Sequence, residues 1–148
     1  MRDSSTPGVD PTLRDQVLDV LARLALTADT GEVEEYLALI AEDAVWEFPD
    51  NPILGTPAQR LTGKAEIEEG VRSRRARGVQ GPGSYTQHVV TSVVVEQLGE
   101  DSARARAAWM FLADTIGTPR ISGVGHYDDL LRLVDGRWMM AHRQVSFG

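Results

Sequence analysis

The chain contains no cysteine. That absence removes disulfides, thiolate nucleophiles, cysteine-ligated zinc and cysteine-held iron–sulfur clusters from consideration. Lysine is almost as scarce: Lys64 stands alone among 15 basic residues, so a Schiff-base mechanism would rest on one residue beside a turn. No glycine-rich nucleotide fingerprint, internal repeat or low-complexity tract occurs, and Gly81-Pro82-Gly83 lacks the strand-to-helix context of a phosphate-binding loop. The histidines and carboxylates form no H-x-H, H-E-x-x-H or calcium-loop pattern, so neither a metal nor another cofactor is expected. Long apolar runs are missing too, including any of signal-peptide type near Met1. The expected setting is the cytoplasm, with no membrane partner.

Positive charge is also in deficit. Acids number 22 against 15 bases, for a net charge of −7, which argues against nucleic-acid binding. An acidic substrate would require a local basic patch, and one dense patch exists at Arg72-Ser73-Arg74-Arg75-Ala76-Arg77. Its simplest reading is a helix end whose dipole favours positive charge; its other reading is the rim of a pocket.

What is present suits one globular body: 148 residues, 42% hydrophobic and 25% charged. Residues 1–11 read as a flexible N-terminal segment and residues 12–148 as a single domain. Leu13, Val17, Leu21, Leu24 and Ala28 recur at helical spacing, after a capping box read at Thr12 and Asp15. A second helix is expected from Asp29 or Thr30, with Val33, Tyr36, Leu37 and Ile40 as its stripe. A short strand over 43–48, a loop to about Thr62 and a third helix around Glu66–Arg75 follow.

Strands dominate thereafter, at about 85–98, 103–113, 120–134 and 137–147, with hairpin turns at Gly99–Ser102 and Val134–Arg137. Helices first and strands last give an α+β class. Strict alternation puts Thr86, His88, Val90, Ser92 and Val94 on one face. Trp109 and Phe111 share a face with small alanines, His126 shares one with Asp128, and Trp138, Met140 and His142 share another.

Ile40-Ala41-Glu42-Asp43-Ala44-Val45-Trp46, Leu61-Thr62-Gly63-Lys64-Ala65-Glu66-Ile67, Thr86-Gln87-His88, Gly125-His126-Tyr127-Asp128-Asp129-Leu130 and Gly136-Arg137-Trp138-Met139-Met140 resemble the SnoaL-like branch of the NTF2-like superfamily. The resemblance spans roughly residues 12–147. It implies an NTF2-like cone, with N-terminal helices packed on a strongly curved, mostly antiparallel sheet enclosing a pocket, in a chain that forms a homodimer. Its relatives include polyketide cyclases, scytalone dehydratase, ketosteroid isomerase and a hexachlorocyclohexane dehydrochlorinase.

In the dehydratase-like and dehydrochlorinase-like members an aspartate at the first helix–helix junction orients a histidine on the first long strand, and Asp29 and His88 occupy those positions. A carboxylate fixes an imidazole's tautomer, and an imidazole titrates near neutrality, which suits proton abstraction from carbon. The same residues also fit a helix cap and a core histidine bonded to a carbonyl. His126 is the candidate second acid or base. Asp128 and His142 are candidate substrate contacts, with Tyr36, Trp46 and Trp109 as the apolar wall.

The resulting expectation is a cofactor-independent acid–base enzyme, a dehydratase acting on a small hydrophobic oxygenated cyclic substrate. The alternatives are a polyketide cyclase or ketone isomerase, a noncatalytic protein that binds hydrophobic ligands, and an assembly protein like the small subunit of ring-hydroxylating oxygenases.

Overall fold

The computed structural model describes residues 10–148; the segment expected to be flexible, 1–11, lies outside it except for Asp10 and Pro11. Those two begin the first helix. Asp10 is the N-cap of α1 (Pro11–Thr30), its carboxylate accepting from the Thr12 N–H at 2.9 Å, and Pro11 fills the first turn, where a missing N–H costs nothing. The cap therefore lies ahead of the expected Thr12–Asp15 box. The apolar stripe runs as predicted, with Leu13, Val17, Leu21, Leu24 and Ala28 all buried.

Helix α1 continues through Asp29, and Gly31 closes it by donating its N–H to Thr27 O at 3.1 Å. Helix α2 (Val33–Leu37) is a single turn opened by a capping box between Glu32 and Glu35. Ile40, expected in that helix, instead starts β1 (Ile40–Phe48). Then come β2 (Gln59–Thr62), within the stretch expected to be loop, and α3 (Lys64–Ala76). The long strands β3 (Gln87–Gln97), β4 (Ser102–Ala113), β5 (Arg120–Val134) and β6 (Arg137–Phe147) fall close to their expected places.

The sheet corrects the expected architecture. Its order is β2-β1-β6-β5-β4-β3, with every pair antiparallel except β1 and β6, which run parallel. It is an open, mixed, six-stranded sheet and not a strongly curved, closed cone, because β2 and β3 are unpaired outer edges that never meet. Brevity protects the first edge: β2 has only 4 residues. The α+β class holds, with three helices against a sheet of six strands.

Three bulges in the antiparallel pairs set which side chains face the helices. On β3, Thr91 pairs with Ala108 and Val94 with Arg106, so β3 takes one residue more than β4, and Ser92 adopts a left-handed φ of 55° at that point. On β5, Gly123 and Ile121 pair with consecutive residues of β4, which leaves Ser122 extra. On β6, His142 and Met140 pair with consecutive residues of β5, which leaves Ala141 extra. Each insertion exchanges the inner and outer rows beyond it.

The main core lies between α1, α2, α3 and one part of the sheet, around Leu24, Ile40, Ile67, Leu131 and Met140. A smaller cluster of Trp109, Tyr127 and Val145 occupies the rest of the inner face.

Candidate active site

Asp29 sits in the last turn of α1 and is only 7% exposed. One oxygen, Oδ1, lies 2.6 Å from His88 Nδ1, and the other, Oδ2, accepts the His88 backbone N–H at 2.8 Å. A carboxylate accepts, so Nδ1 carries the hydrogen, and a neutral His88 keeps its free lone pair on Nε2. The imidazole lies 4.7 Å from the Phe111 ring, centroid to centroid. Two contacts to one residue fix both the strand and the ring relative to the helix end.

That helix end has its own support. Arg75 of α3 donates from Nη1 to Gly31 O at 2.8 Å and from Nη2 to Thr27 O and Ala28 O at 2.9 and 3.3 Å. A cation at these carbonyls satisfies acceptors that the helix itself cannot, and it complements the negative end of the dipole. The basic cluster thus does serve a helix terminus, but that of α1 and not of its own helix. Elsewhere in the cluster Arg72 pairs with Glu34 and Glu68.

His88 opens onto a cavity of about 430 Å³ between the helices and the inner face of the sheet. Tyr36, Trp46 and Trp109 line it as expected, joined by Phe48, Val90 and Phe111. Leu54 and Phe147, both exposed, mark its mouth. The Trp109 indole N–H donates to His126 O at 3.2 Å, and its ring stacks on Tyr127 at 5.9 Å. Glycines on the neighbouring strand make this ring placement possible: a Cβ on Gly123 would lie 3.2 Å from Trp109 Cζ3, and one on Gly125 would lie 2.8 Å from Trp109 Cζ2.

Three candidate residues lie elsewhere. His126 is exposed on the opposite face of β5, and its carbonyl, not its ring, bonds Trp109. Asp128 shares that outer face and binds Arg104 through two bonds of 2.8 and 2.6 Å, which hold its carboxyl below the usual range. His142 turns outward after the Ala141 bulge, with Nε2 2.6 Å from Glu47 Oε2. None of the three lines the cavity.

The bulges bring in residues that simple alternation did not select. Arg143 is 6% exposed and lines the cavity, and its Nε and Nη2 donate to the two oxygens of Asp129 at 2.9 and 2.8 Å. Asp129 is fully buried. The guanidinium carbon of Arg143 also lies 3.8 Å from the centre of the Tyr127 ring. Burial works to lower the Arg143 guanidinium, but the Asp129 charge and hydrogen bonds leave it above its ordinary value. Burial pushes the Tyr127 phenol up to about 12 and raises Tyr36 as well, so both present neutral hydroxyls.

The missed signal on β5 was the row Tyr127, Asp129, Leu131, available by alternation but passed over for the row containing a histidine. Nothing in the sequence announced the β6 insertion. Among the described residues no group of three or more His, Asp or Glu side chains is placed to hold a metal ion. No helix there is long and apolar enough to cross a membrane.

Comparison with known proteins adds to this geometry. The family model for the SnoaL-like domain matches residues 11–144. No curated protein matches the chain. Among solved structures, a protein of unknown function from Mycobacterium tuberculosis is 24% identical, with a TM-score of 0.78, over 94% of this chain and 78% of that one. An NTF2-like protein with a cystatin-like fold from Novosphingobium aromaticivorans is 20% identical over 90% of this chain and 80% of its own, with a TM-score of 0.71. A candidate scytalone dehydratase from the same organism is 19% identical over 92% and 81%, with a TM-score of 0.63. At these identities the likeness is one of fold.

Proposed function

The chain belongs to the SnoaL-like domain family, and from that premise we propose that it is a cofactor-independent acid–base enzyme, a dehydratase for a small apolar cyclic substrate bearing a hydroxyl. One observation carries the reading: a buried carboxylate holds His88 by ring and backbone at the wall of an aromatic-lined cavity. Asp29 fixes the tautomer that leaves Nε2 as the base, and it stabilises the imidazolium that proton capture creates.

The residues around His88 refine the reaction. Among the described residues that line the cavity it is the one imidazole, able to accept and to return a proton. The same imidazole therefore serves as base and acid. Nε2 takes a proton from the carbon next to the C–OH carbon, the C–H pair becomes the new double bond, and the C–O bond breaks. The departing oxygen receives that proton from Nε2 and leaves as water, returning His88 to neutral. One group serving both steps requires the hydrogen and hydroxyl to leave from the same face of the ring. The neutral hydroxyls of Tyr36 and Tyr127 are donors available to a substrate oxygen, the role first considered for His126.

The test is turnover of a panel of hydroxylated cyclic compounds by the wild type, His88→Ala and Asp29→Asn, with calorimetric binding measured alongside. The reading expects turnover to fall in both variants while affinity stays within a few-fold. Unchanged turnover in His88→Ala would sink it, and wild-type binding with no chemistry on any ligand would favour the noncatalytic alternative.

A further inference from the structure

The cavity surface inverts the charge of the molecule around it. In a chain of net charge −7, no Asp or Glu among the described residues lines the cavity, whereas Arg74 and Arg143 both do. The two arginines are not equivalent. Arg143 is neutralised by its two-point contact with Asp129. Arg74, half-buried on α3, has no carboxylate at ion-pair distance among the described residues; its Nε donates to the neutral Gln80 amide oxygen at 2.9 Å. Its terminal nitrogens make no hydrogen bond among those residues and are not fully buried, on a residue that lines the cavity.

A partly desolvated cation without a counter-charge is unfavourable in the empty protein. Burial accordingly pulls the Arg74 guanidinium below the ordinary arginine value. The local sequence accommodates it nonetheless. Gly70 stands one turn earlier in α3, where a Cβ would lie 3.2 Å from Arg74 Nη1. Glycine in a helix interior is unfavourable relative to alanine, and here its bareness leaves space for the guanidinium. The Tyr36 and Tyr127 phenols lie within electrostatic reach of the same group, and neither hydroxyl has a hydrogen-bond partner among the described residues.

We propose that Arg74 is the anion-binding residue of this cavity and that the ligands it selects are ring-borne carboxylates: a cyclohexadienol carboxylate as substrate, and the aryl carboxylate that its loss of water leaves as product. The ring lies among Trp46, Trp109 and Phe48, and the carboxylate meets the open edge of the Arg74 fork, with the two phenol hydroxyls as further donors. One uncompensated cation matches a monoanion; a phosphate dianion would leave a charge unmatched. The proposal deepens the acid–base reading by naming its substrate class, and rests on that reading only for what then happens to the ligand.

Binding tests it without turnover. Calorimetry with 1-naphthoate and 1-naphthamide compares a carboxylate with its neutral amide on one ring. Wild type should prefer the carboxylate by about tenfold, the scale of one charge-assisted hydrogen-bonded pair. Arg74→Gln should bind the two within twofold, and Arg74→Lys should keep part of the preference. Equal binding of the two probes by wild type, no binding of either, or a preference intact in Arg74→Gln would each overturn the proposal. Should Arg74→Gln fold poorly, the Arg74 side-chain nitrogen resonances of wild type decide: they should move with naphthoate and stay with naphthamide, and stillness with both refutes it. A protein that shows the preference yet transforms no compound would overturn the dehydratase reading while upholding this one.

Discussion

Two aspartates are buried behind this cavity, and both offer two oxygens to one partner residue. Asp29 holds His88, whose imidazole can take up or release a proton, whereas Asp129 holds Arg143, whose charge is permanent. The partner decides what the carboxylate does. Against an imidazole it can fix a tautomer and take part in proton transfer, the role proposed for Asp29; against a guanidinium it is locked in a fixed ion pair whose loss strands a buried charge. The settings fit these roles: Asp29 lies at a helix end braced from outside by Arg75, and Asp129 lies fully buried within a long strand.

The difference is sharpest when the titratable partner goes. His88→Ala should lower kcat by about 10²- to 10⁴-fold, the scale of a lost general base, with the fold intact by circular dichroism. Next comes the fixed pair: Asp129→Ala should cost about 3–5 kcal/mol in urea unfolding, because Arg143 is left charged and unpaired. Replacing both partners, as Asp129→Leu with Arg143→Met, should recover much of that loss. If the single substitution costs as little as a surface change, the pair is not the structural element described here.

A smaller effect lies on the alkaline side. The Tyr127 phenol is held at about 12 by burial, above its unfolded value near 10. Below pH 10 the hydroxyl is protonated in both folded and unfolded states and contributes no slope; above it the unfolded chain loses its proton first. Stability should therefore fall between pH 10 and 12 by about 2–3 kcal/mol, and Tyr127→Phe should flatten that fall in base titrations followed by chemical denaturation. Smallest is Asp29→Asn read as stability: an amide keeps an acceptor for the His88 N–H, so the cost should be about 1 kcal/mol. A loss there as large as for Asp129→Ala would erase the distinction between the two aspartates.

Much of this was legible before any coordinates. The stripe of α1, the four long strands and the α+β class follow from local periodicity, and Asp29 with His88 followed from a resemblance of family. Closure of the sheet was not legible, since it depends on whether β2 reaches β3, a relation between chain segments that no local pattern encodes. Facing was legible only up to the first inserted residue. Val90 faces inward as alternation predicts, but past the Ser92 region Val95 takes the inner row; past Ala141, Arg143 turns in and His142 turns out. Histidines drew the eye to His126 and His142; Arg74 was visible only as part of a basic cluster with a pocket rim as its second reading, Arg143 as a possible carboxylate contact set on the face opposite His142, and Asp129 not at all.

The bracing of α1 by Arg75 sets two contacts of one helix side by side. Arg74, the next residue back along α3, lines the cavity, so a single helical turn touches both the cavity and the end of α1 that carries Asp29. A link between the two would act as a rocker, with load on one arm felt at the other. Amide hydrogen exchange reads this directly, since the His88 N–H is held by Asp29. Loosening the mount with Arg75→Met should speed exchange at His88, and seating 1-naphthoate against Arg74 should slow it; an unchanged His88 rate in both cases would show the two arms to be independent.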